Sequence, residues 1–388
     1  MQKAYTDRVS DLRPDETCYR YVLATYARST LPNLGTDVDE LINQMVDRQL
    51  TPDSECYTYA IRTWKNSATH HLCETQHVDA THANRLLKAM EKAYHRSSEV
   101  LVQPTTENYN NVIEAWSAST QAGAAVHAEA LLKKLEKAYA DGDENLMPDT
   151  NSYRWALEAW ANSPSPDKLS RAVAILSRMK DAMEGSEDDH AKPTVDVFNA
   201  FIRVCGTSGT GSAGDKKYNL KLAVNTVDEM RQRGEAPNSR TFCLLLEACQ
   251  NLLPLGKQQS RAVENIFRNC CYLGLVDDAV LAQFRDVASD QLFQDLVVAN
   301  TTEEVTEGSK SGKMVPKTWT RNVGVKVVTV DGKQPKPLNI DAIFVMTKRV
   351  KEFRVKRLRQ RKNTRLFRGG RKLYVKNSRM TEFIEDSL

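Results

Sequence analysis

The pattern that most constrains this chain is an aromatic residue followed by apolar residues three, four and seven positions later, found six times. The instances are Tyr19/Val22/Leu23/Tyr26, Tyr57/Ala60/Ile61/Trp64, Tyr109/Val112/Ile113/Trp116, Tyr153/Ala156/Leu157/Trp160, Phe198/Phe201/Ile202/Cys205 and Phe242/Leu245/Leu246/Cys249. That spacing places four side chains on one face of a helix. Self-similarity at a period of roughly 20–50 residues is the mark of a solenoid, in which each unit buries its apolar face only against its neighbours.

What surrounds the motif defines the unit. Each aromatic helix follows a proline and a short polar residue: Pro14-Asp15, Pro52-Asp53, Pro104-Thr105, Pro148-Asp149, Pro193-Thr194 and Pro237-Asn238. Proline stops the preceding segment, and Asp, Thr or Asn caps the new helix. A second helix follows, with Ala and then Met or Leu seven residues later, as in Ala83/Met90, Ala128/Leu135, Ala172/Met179 and Ala223/Met230. The prolines are 38, 52, 44, 45 and 44 residues apart. The excess falls in two places, the turn between the paired helices and the segment before the proline, where length is tolerated.

With the unit defined, segments such as TENYNNVIEAW (106–116) and TNSYRWALEAW (150–160), the Ala…Met second helices and MRQRGEAPN (230–238) resemble pentatricopeptide repeats of a divergent, long-unit type. The resemblance covers roughly residues 1–285 and implies an all-α, right-handed α-α superhelical solenoid of helix-pair repeats with a small non-repeat C-terminal extension. The expected organisation is a repeat array over 1–299, holding about six full repeats and a partial first one. A linker over 300–347 would contain a short β-hairpin at Val323–Val330 and Asp331-Gly332, and a partly disordered basic tail would occupy 348–388. Met1–Tyr5 matches the second-helix segments Met90–Tyr94 and Leu135–Tyr139, so the array is expected to open inside a unit, with residues upstream.

In the resembled family each repeat reads one base of single-stranded RNA, using the polar residue after the first-helix aromatic and the residue after the next proline. The implied pairs here are Arg20 with Asp53, Thr58 with Thr105, Asn110 with Asp149, Arg154 with Thr194, Asn199 with Asn238, and Cys243 with Asp277 or Asp278. Asn110/Asp149 matches the family's uracil-type pair and Asn199/Asn238 its pyrimidine-type pair. The other four depart from the family's combinations, which puts their base preference in doubt. The alternative for these residues is structural, with Asp53 and Asp149 capping helices and Asn110 lying in solvent.

Charge is distributed unevenly. Between Lys348 and Arg379 there are 15 Lys or Arg and one acid, Glu352, whereas residues 1–347 carry 39 basic and 46 acidic residues, a net of −7. The tail interleaves Arg354, Lys356, Arg357, Arg359, Arg361, Lys362, Arg365, Arg368, Arg371 and Lys372 with Phe353, Phe367 and Tyr374. Such a segment attracts phosphate without sequence preference and adds stacking; a solvated tail or a nuclear-type basic signal is the equal alternative. The array would then supply sequence preference and the tail affinity.

Other signals exclude more than they assign. No apolar run approaches the ~18 residues of a membrane span, so no membrane partner is expected. The eight cysteines form no CxxC pair and mostly fall on the apolar stripe, which reads as reduced, packed thiols. His70, His71, His77, His82 and Cys73 cluster in an insert without standard metal-ligand spacing, so no metal site is assigned. Gly209–Lys216 (GTGSAGDK) lacks the Lys after its last Gly and a preceding strand, which excludes a phosphate-binding loop. Beyond residue 285 there is no His-x-Glu with Cys-x-x-Cys, as a zinc deaminase needs, and too few acids for a metal-dependent nuclease. The reading is a non-enzymatic, cofactor-free scaffold for single-stranded RNA, with no small-molecule substrate, acting in RNA processing, stability or translation. By resemblance it works in a mitochondrion or plastid, although MQKAYTDRVS matches no clear targeting peptide. The rival is a protein-binding α-solenoid, which the acidic array and the four divergent pairs favour. Arg20 and Arg154 lining the first-helix groove would favour RNA.

Overall fold

The computed structural model describes residues 14–323, except 30, 32–33, 71–78, 98–99, 185–190, 301 and 304–312. These residues belong to the first of two compact units, Met1–Leu338; the second, Asn339–Leu388, lies outside them. The expected hairpin after Val323, the basic tail and the matching N-terminal segment lie outside them as well.

Among the described residues, 16–296 form an all-α solenoid. Six helix pairs run in order: α1 (Glu16–Tyr26) with α2 (Leu34–Asp47), α3 (Ser54–His70) with α4 (Asp79–Ser97), α5 (Thr106–Ala118) with α6 (Ala124–Ala140), α7 (Thr150–Asn162) with α8 (Lys168–Glu184), α9 (Val195–Thr207) with α10 (Ala213–Gln232), and α11 (Ser239–Leu252) with α12 (Lys257–Leu273). Two shorter helices follow, α13 (Asp278–Val287) and α14 (Asp290–Leu296). Each first helix packs on its own second helix and on the next first helix, and each second helix packs on the next first helix. The first helices α1, α3, α5, α7, α9, α11 and α13 therefore form one continuous stack.

The periodic residues make this core. All six motif aromatics are buried, and so are the Ala/Met and Ala/Leu pairs of the second helices. Small residues there let paired helices approach closely. Successive pairs also pack closely: a Cβ on Gly35 of α2 would lie 2.5 Å from Cε3 of the Trp64 indole on α3. Only the first motif departs from the pattern. Val22 is 39% exposed because no described helix precedes α1 to cover it.

Polar ties reinforce the stack at the C-terminal ends of the first helices. Asn66 Nδ2 donates to the Ala27 carbonyl at 2.9 Å, Asn162 Nδ2 to that of Ser117 at 2.8 Å, and the Thr207 hydroxyl to that of Ala161 at 3.2 Å. These residues all stand nine positions after a motif aromatic, and each satisfies a carbonyl that the end of an α-helix leaves without an internal partner. The second helices are linked by long charged side chains: Glu91–Lys134 at 2.5 Å, Glu136–Arg178 at 3.0 Å and Glu229–Lys180 at 2.6 Å.

The stretch read as a linker contains ordered structure. Thr302–Glu303 (β1) pairs antiparallel with Lys313–Met314 (β2), and Lys317–Thr320 (α15) packs on the end of α12. Trp319 meets Phe267 edge-on at 5.8 Å, Val276 N–H donates to the Trp319 carbonyl at 2.9 Å, and Arg321 Nη2 donates to the Tyr272 carbonyl at 2.7 Å. Asn322 Nδ2 donates to the Leu273 carbonyl at 2.6 Å. This segment covers the C-terminal end of α12, whose last carbonyls would otherwise need water or another cap.

Candidate nucleic-acid interface

The residue after each motif aromatic lies next to the N-terminus of the following first helix, and at four of six junctions the two are tied by hydrogen bonds. Asn110 on α5 donates from Nδ2 to Asp149 Oδ1 at 3.0 Å, and its Oδ1 accepts from the Ser152 hydroxyl at 2.7 Å. Asp149 Oδ1 also accepts from the Ser152 N–H at 2.9 Å, which caps α7. The same triangle recurs two repeats later. Asn199 Nδ2 donates to Asn238 Oδ1 at 3.3 Å, Asn199 Oδ1 accepts from the Thr241 hydroxyl at 2.7 Å, and Asn238 Oδ1 accepts from the Thr241 N–H at 3.0 Å.

Two further junctions use other chemistry. The amide moves to the later helix at the second one, where Asn108 Nδ2 donates to the Thr58 hydroxyl at 2.7 Å and Asn108 Oδ1 accepts from the Thr105 N–H at 2.9 Å. Arg20 Nη1 donates to Asp53 Oδ2 at 3.2 Å, while Asp53 Oδ1 accepts from the Cys56 N–H at 2.8 Å. The polar residues immediately before the motif aromatics (Asn108, Ser152 and Thr241) are thus part of the junction. They escaped the sequence reading because their partners lie 40 to 50 residues earlier; the available signal was their recurrence at that position.

The remaining two junctions have Val197 and Val280 at the corresponding position, and no hydrogen bond joins Arg154 to Thr194 or Cys243 to the next helix among the described residues. In the last pair Asp277 is the N-cap of α13, accepting from the Val280 N–H at 2.8 Å. It therefore occupies the position of Asp149, and Asp278 is one residue inside the helix. Burial, with Asp277 nearby, pushes the Cys243 thiol up to about 11.

Exposure separates the two Asn triangles. Asn199 is only 2% exposed, whereas Asn110 is half-buried at the wall of an open cleft of about 290 Å³. That cleft is lined by Glu107, Asn110, Asn111 and Glu114 from α5 and by Asp149, Asn151, Arg154 and Trp155 from the start of α7. Two of its three acids are compensated, Glu107 by Arg62 and Glu114 by Lys65 at 3.6 Å. Arg154 makes no ion pair among the described residues, and its guanidinium lies 3.7 Å from the centre of the Trp155 ring. A second cleft, of about 480 Å³ between α1 and α3, is lined by Arg20, Tyr21, Ala24, Thr25, Arg28, Glu55 and Tyr59. Arg20 and Arg154 thus both line clefts on the first-helix face.

The other signals have structural settings. Of the His cluster, His82 stacks on Trp64 with ring centres 4.4 Å apart and places Nδ1 2.8 Å from Asp39 Oδ2; His71, Cys73 and His77 lie outside the described residues. The Gly-rich stretch forms the start of α10, where Asp215 Oδ2 accepts from both the N–H and the hydroxyl of Ser212 at 2.8 Å. A carboxylate therefore occupies the cap that an anion would need. The ten tail residues from Arg354 to Lys372 lie outside the described residues.

Comparison with known proteins agrees with this geometry. The model of the pentatricopeptide repeat domain matches residues 142–208, which span α7, α8, α9 and the caps of α7 and α9. Over those residues the chain is similar to the pentatricopeptide repeat domain. No curated protein matches the chain.

Proposed function

We propose that the chain binds single-stranded RNA along the face made by its first helices, with Asn110 and Asp149 contacting one base. The observation that carries this reading is the α5–α7 cleft. It holds an amide and a carboxylate at 3.0 Å from each other beside a guanidinium that has no ion-pair partner among the described residues. Asp149 Oδ1 is committed to the cap, which leaves Oδ2 to accept from a base N–H; the second Nδ2 proton of Asn110 supplies a donor. An imide edge, which offers one N–H between two carbonyls, is complementary to that pair, in line with the uracil-type combination of the resembled family.

Asn199 and Asn238 are assigned a different weight. With Asn199 buried and its amide satisfied, this pair serves first as a tie between α9 and α11. Arg20 is likewise engaged, with Asp53 at 3.2 Å and Glu55 at 3.5 Å. The chain works as a non-catalytic scaffold that occludes or presents an RNA segment in organellar RNA processing, stability or translation. Mitochondrion or plastid follows from the family resemblance alone.

Incubating the full chain with a random pool of single-stranded RNA and sequencing the retained molecules tests this reading. An enriched motif is expected, and Asn110→Ala should relax one position of it while the rest persists. Recovery of no enriched sequence would overturn the proposal in favour of a protein-binding solenoid.

A further inference from the structure

We infer that Trp155, with Arg154 laid against it, is the stacking wall for the unpaired base held in the α5–α7 cleft. This inference rests on the RNA-binding reading and adds to it a residue outside the hydrogen-bonding pairs. Trp155 stands two positions after the motif aromatic Tyr153, next to the face that carries Arg154, and the helix core does not use it. The core aromatics Trp64, Trp116 and Trp160 are all buried, whereas Trp155 is only partly buried and lines the cleft. A single partly exposed indole needs no explanation by itself; what singles out Trp155 is that it lines the same cleft as Asn110, Asp149 and Arg154.

The geometry fits a flat, electron-rich ring. The Arg154 guanidinium lies 3.7 Å from the Trp155 ring centre, a cation–π pair, and guanidinium and indole are both flat surfaces on which unpaired bases stack. The hydrogen-bonding groups of Asn110 and Asp149 line the same cleft, so one base can meet its edge partners and its stacking partner together. A peptide ligand fits the site less well, because the cleft offers no apolar pocket beyond the indole. The corresponding position carries Tyr21 and Tyr59 in the first two units. Both line the α1–α3 cleft with Arg20, and Tyr21 is 70% exposed. The remaining first helices have Asn111, Ala200 and Leu244 there, so the platforms are confined to particular repeats.

The test uses the full chain and a single-stranded RNA selected by it from a random pool. Binding should quench tryptophan fluorescence. Trp155→Ala should weaken affinity by about 5- to 150-fold, as expected for loss of one base–aromatic stack. The salt dependence should stay that of the unaltered chain, because no charge is lost. Trp155→Phe should keep most of the affinity and abolish the quenching, and Arg154→Lys should weaken binding although charge is retained. An RNA with an abasic nucleotide at the position read by Asn110 should bind Trp155→Ala and the unaltered chain alike. If the chain selects RNA but Trp155→Ala binds it as well as before, or if quenching survives in Trp155→Phe, the stacking inference fails and the RNA-binding reading stands. If no RNA is selected, both fail.

Discussion

Asn199 on α9 and Thr241 on α11 are 42 residues apart in sequence and joined by a 2.7 Å hydrogen bond that is buried from solvent. The same bond links the Asn110 carbonyl to the Ser152 hydroxyl at a junction that is only part-buried, where Asn110 borders the open cleft. One device therefore serves two environments, and the two should respond differently to truncation. Asn199→Ala removes both hydrogen bonds of a buried amide, to Thr241 and Asn238, leaves the Thr241 hydroxyl only the 3.0 Å bond to Asn238 Oδ1, and should cost about 1–3 kcal/mol. Asn110→Ala should cost less, since water can replace the lost amide. Thermal unfolding of the two variants measures the stability difference. Binding assays should show the reverse order, with Asn110→Ala changing RNA preference more.

Much of this architecture follows from residues that act locally. Tyr109, Val112, Ile113 and Trp116 declare their helix and its buried face by spacing alone, and Pro148-Asp149 declares where the next helix starts. The junction chemistry was not legible, because whether Asn108 or Asn110 carries the amide to the neighbouring helix depends on which residue lies opposite after folding. The cap at Lys317–Thr320 was hidden for a related reason. A helix of four residues has no periodicity to read, and Trp319 and Asn322 hold it through contacts with Phe267 and Leu273.

Gly35 should be intolerant of even the smallest side chain. Alanine is favoured over glycine in a helix interior by about 1 kcal/mol, but its Cβ would lie 2.5 Å from the Trp64 ring. Overpacking of that kind costs about 1–3 kcal/mol, and the indole has little room to yield because its Nε1 donates to Asp39 and His82 stacks on it. Gly35→Ala should therefore lower the midpoint of thermal unfolding, whereas Gly234→Ala would test only backbone strain, at a φ of 80° with open space around it.

The cap over α12 gives a local prediction. Trp319→Ala removes the edge-on contact with Phe267 and loosens the turn that accepts from the Val276 N–H, and should cost about 2 kcal/mol. Hydrogen exchange should speed up at Val276 and through the end of α12 and leave α5 and α7 unchanged. In a solenoid, stability is a sum over neighbouring units, so uniform acceleration along the chain would contradict a terminal cap of this kind.

Alkaline solution should destabilise the array in a defined window. Burial holds the Cys249 and Cys56 thiols protonated up to about 12, against an ordinary value of 9.0. Burial also raises the phenols of Tyr57, Tyr109 and Tyr153 above their ordinary 10.0. A proton held more tightly in the folded than in the unfolded state stabilises folding fully below the unfolded value, and that stabilisation is lost as pH rises toward the folded one. Stability should thus be flat up to about pH 9 and fall steadily toward pH 12. Phenolate absorbance of the three buried tyrosines should appear together with unfolding. In Cys249→Ala the fall should be shallower, as one such group is gone.

The charge division of the sequence makes the last prediction. Residues 1–347 carry a net charge of −7, while the 15 basic residues between Lys348 and Arg379 are opposed by one acid. If RNA affinity comes largely from phosphate contacts of that segment, each neutralised phosphate steepens the fall of binding with salt. Deleting 348–388 should then weaken binding strongly at low salt, flatten the dependence of log K on log salt, and leave the selected RNA motif unchanged, because the residues proposed to contact the base, in α5 and at the cap of α7, remain. Titrating both forms with the selected RNA over a range of salt concentrations checks this. An unchanged slope would place the phosphate contacts on the array itself, where Arg154 is a cation with no ion pair among the described residues.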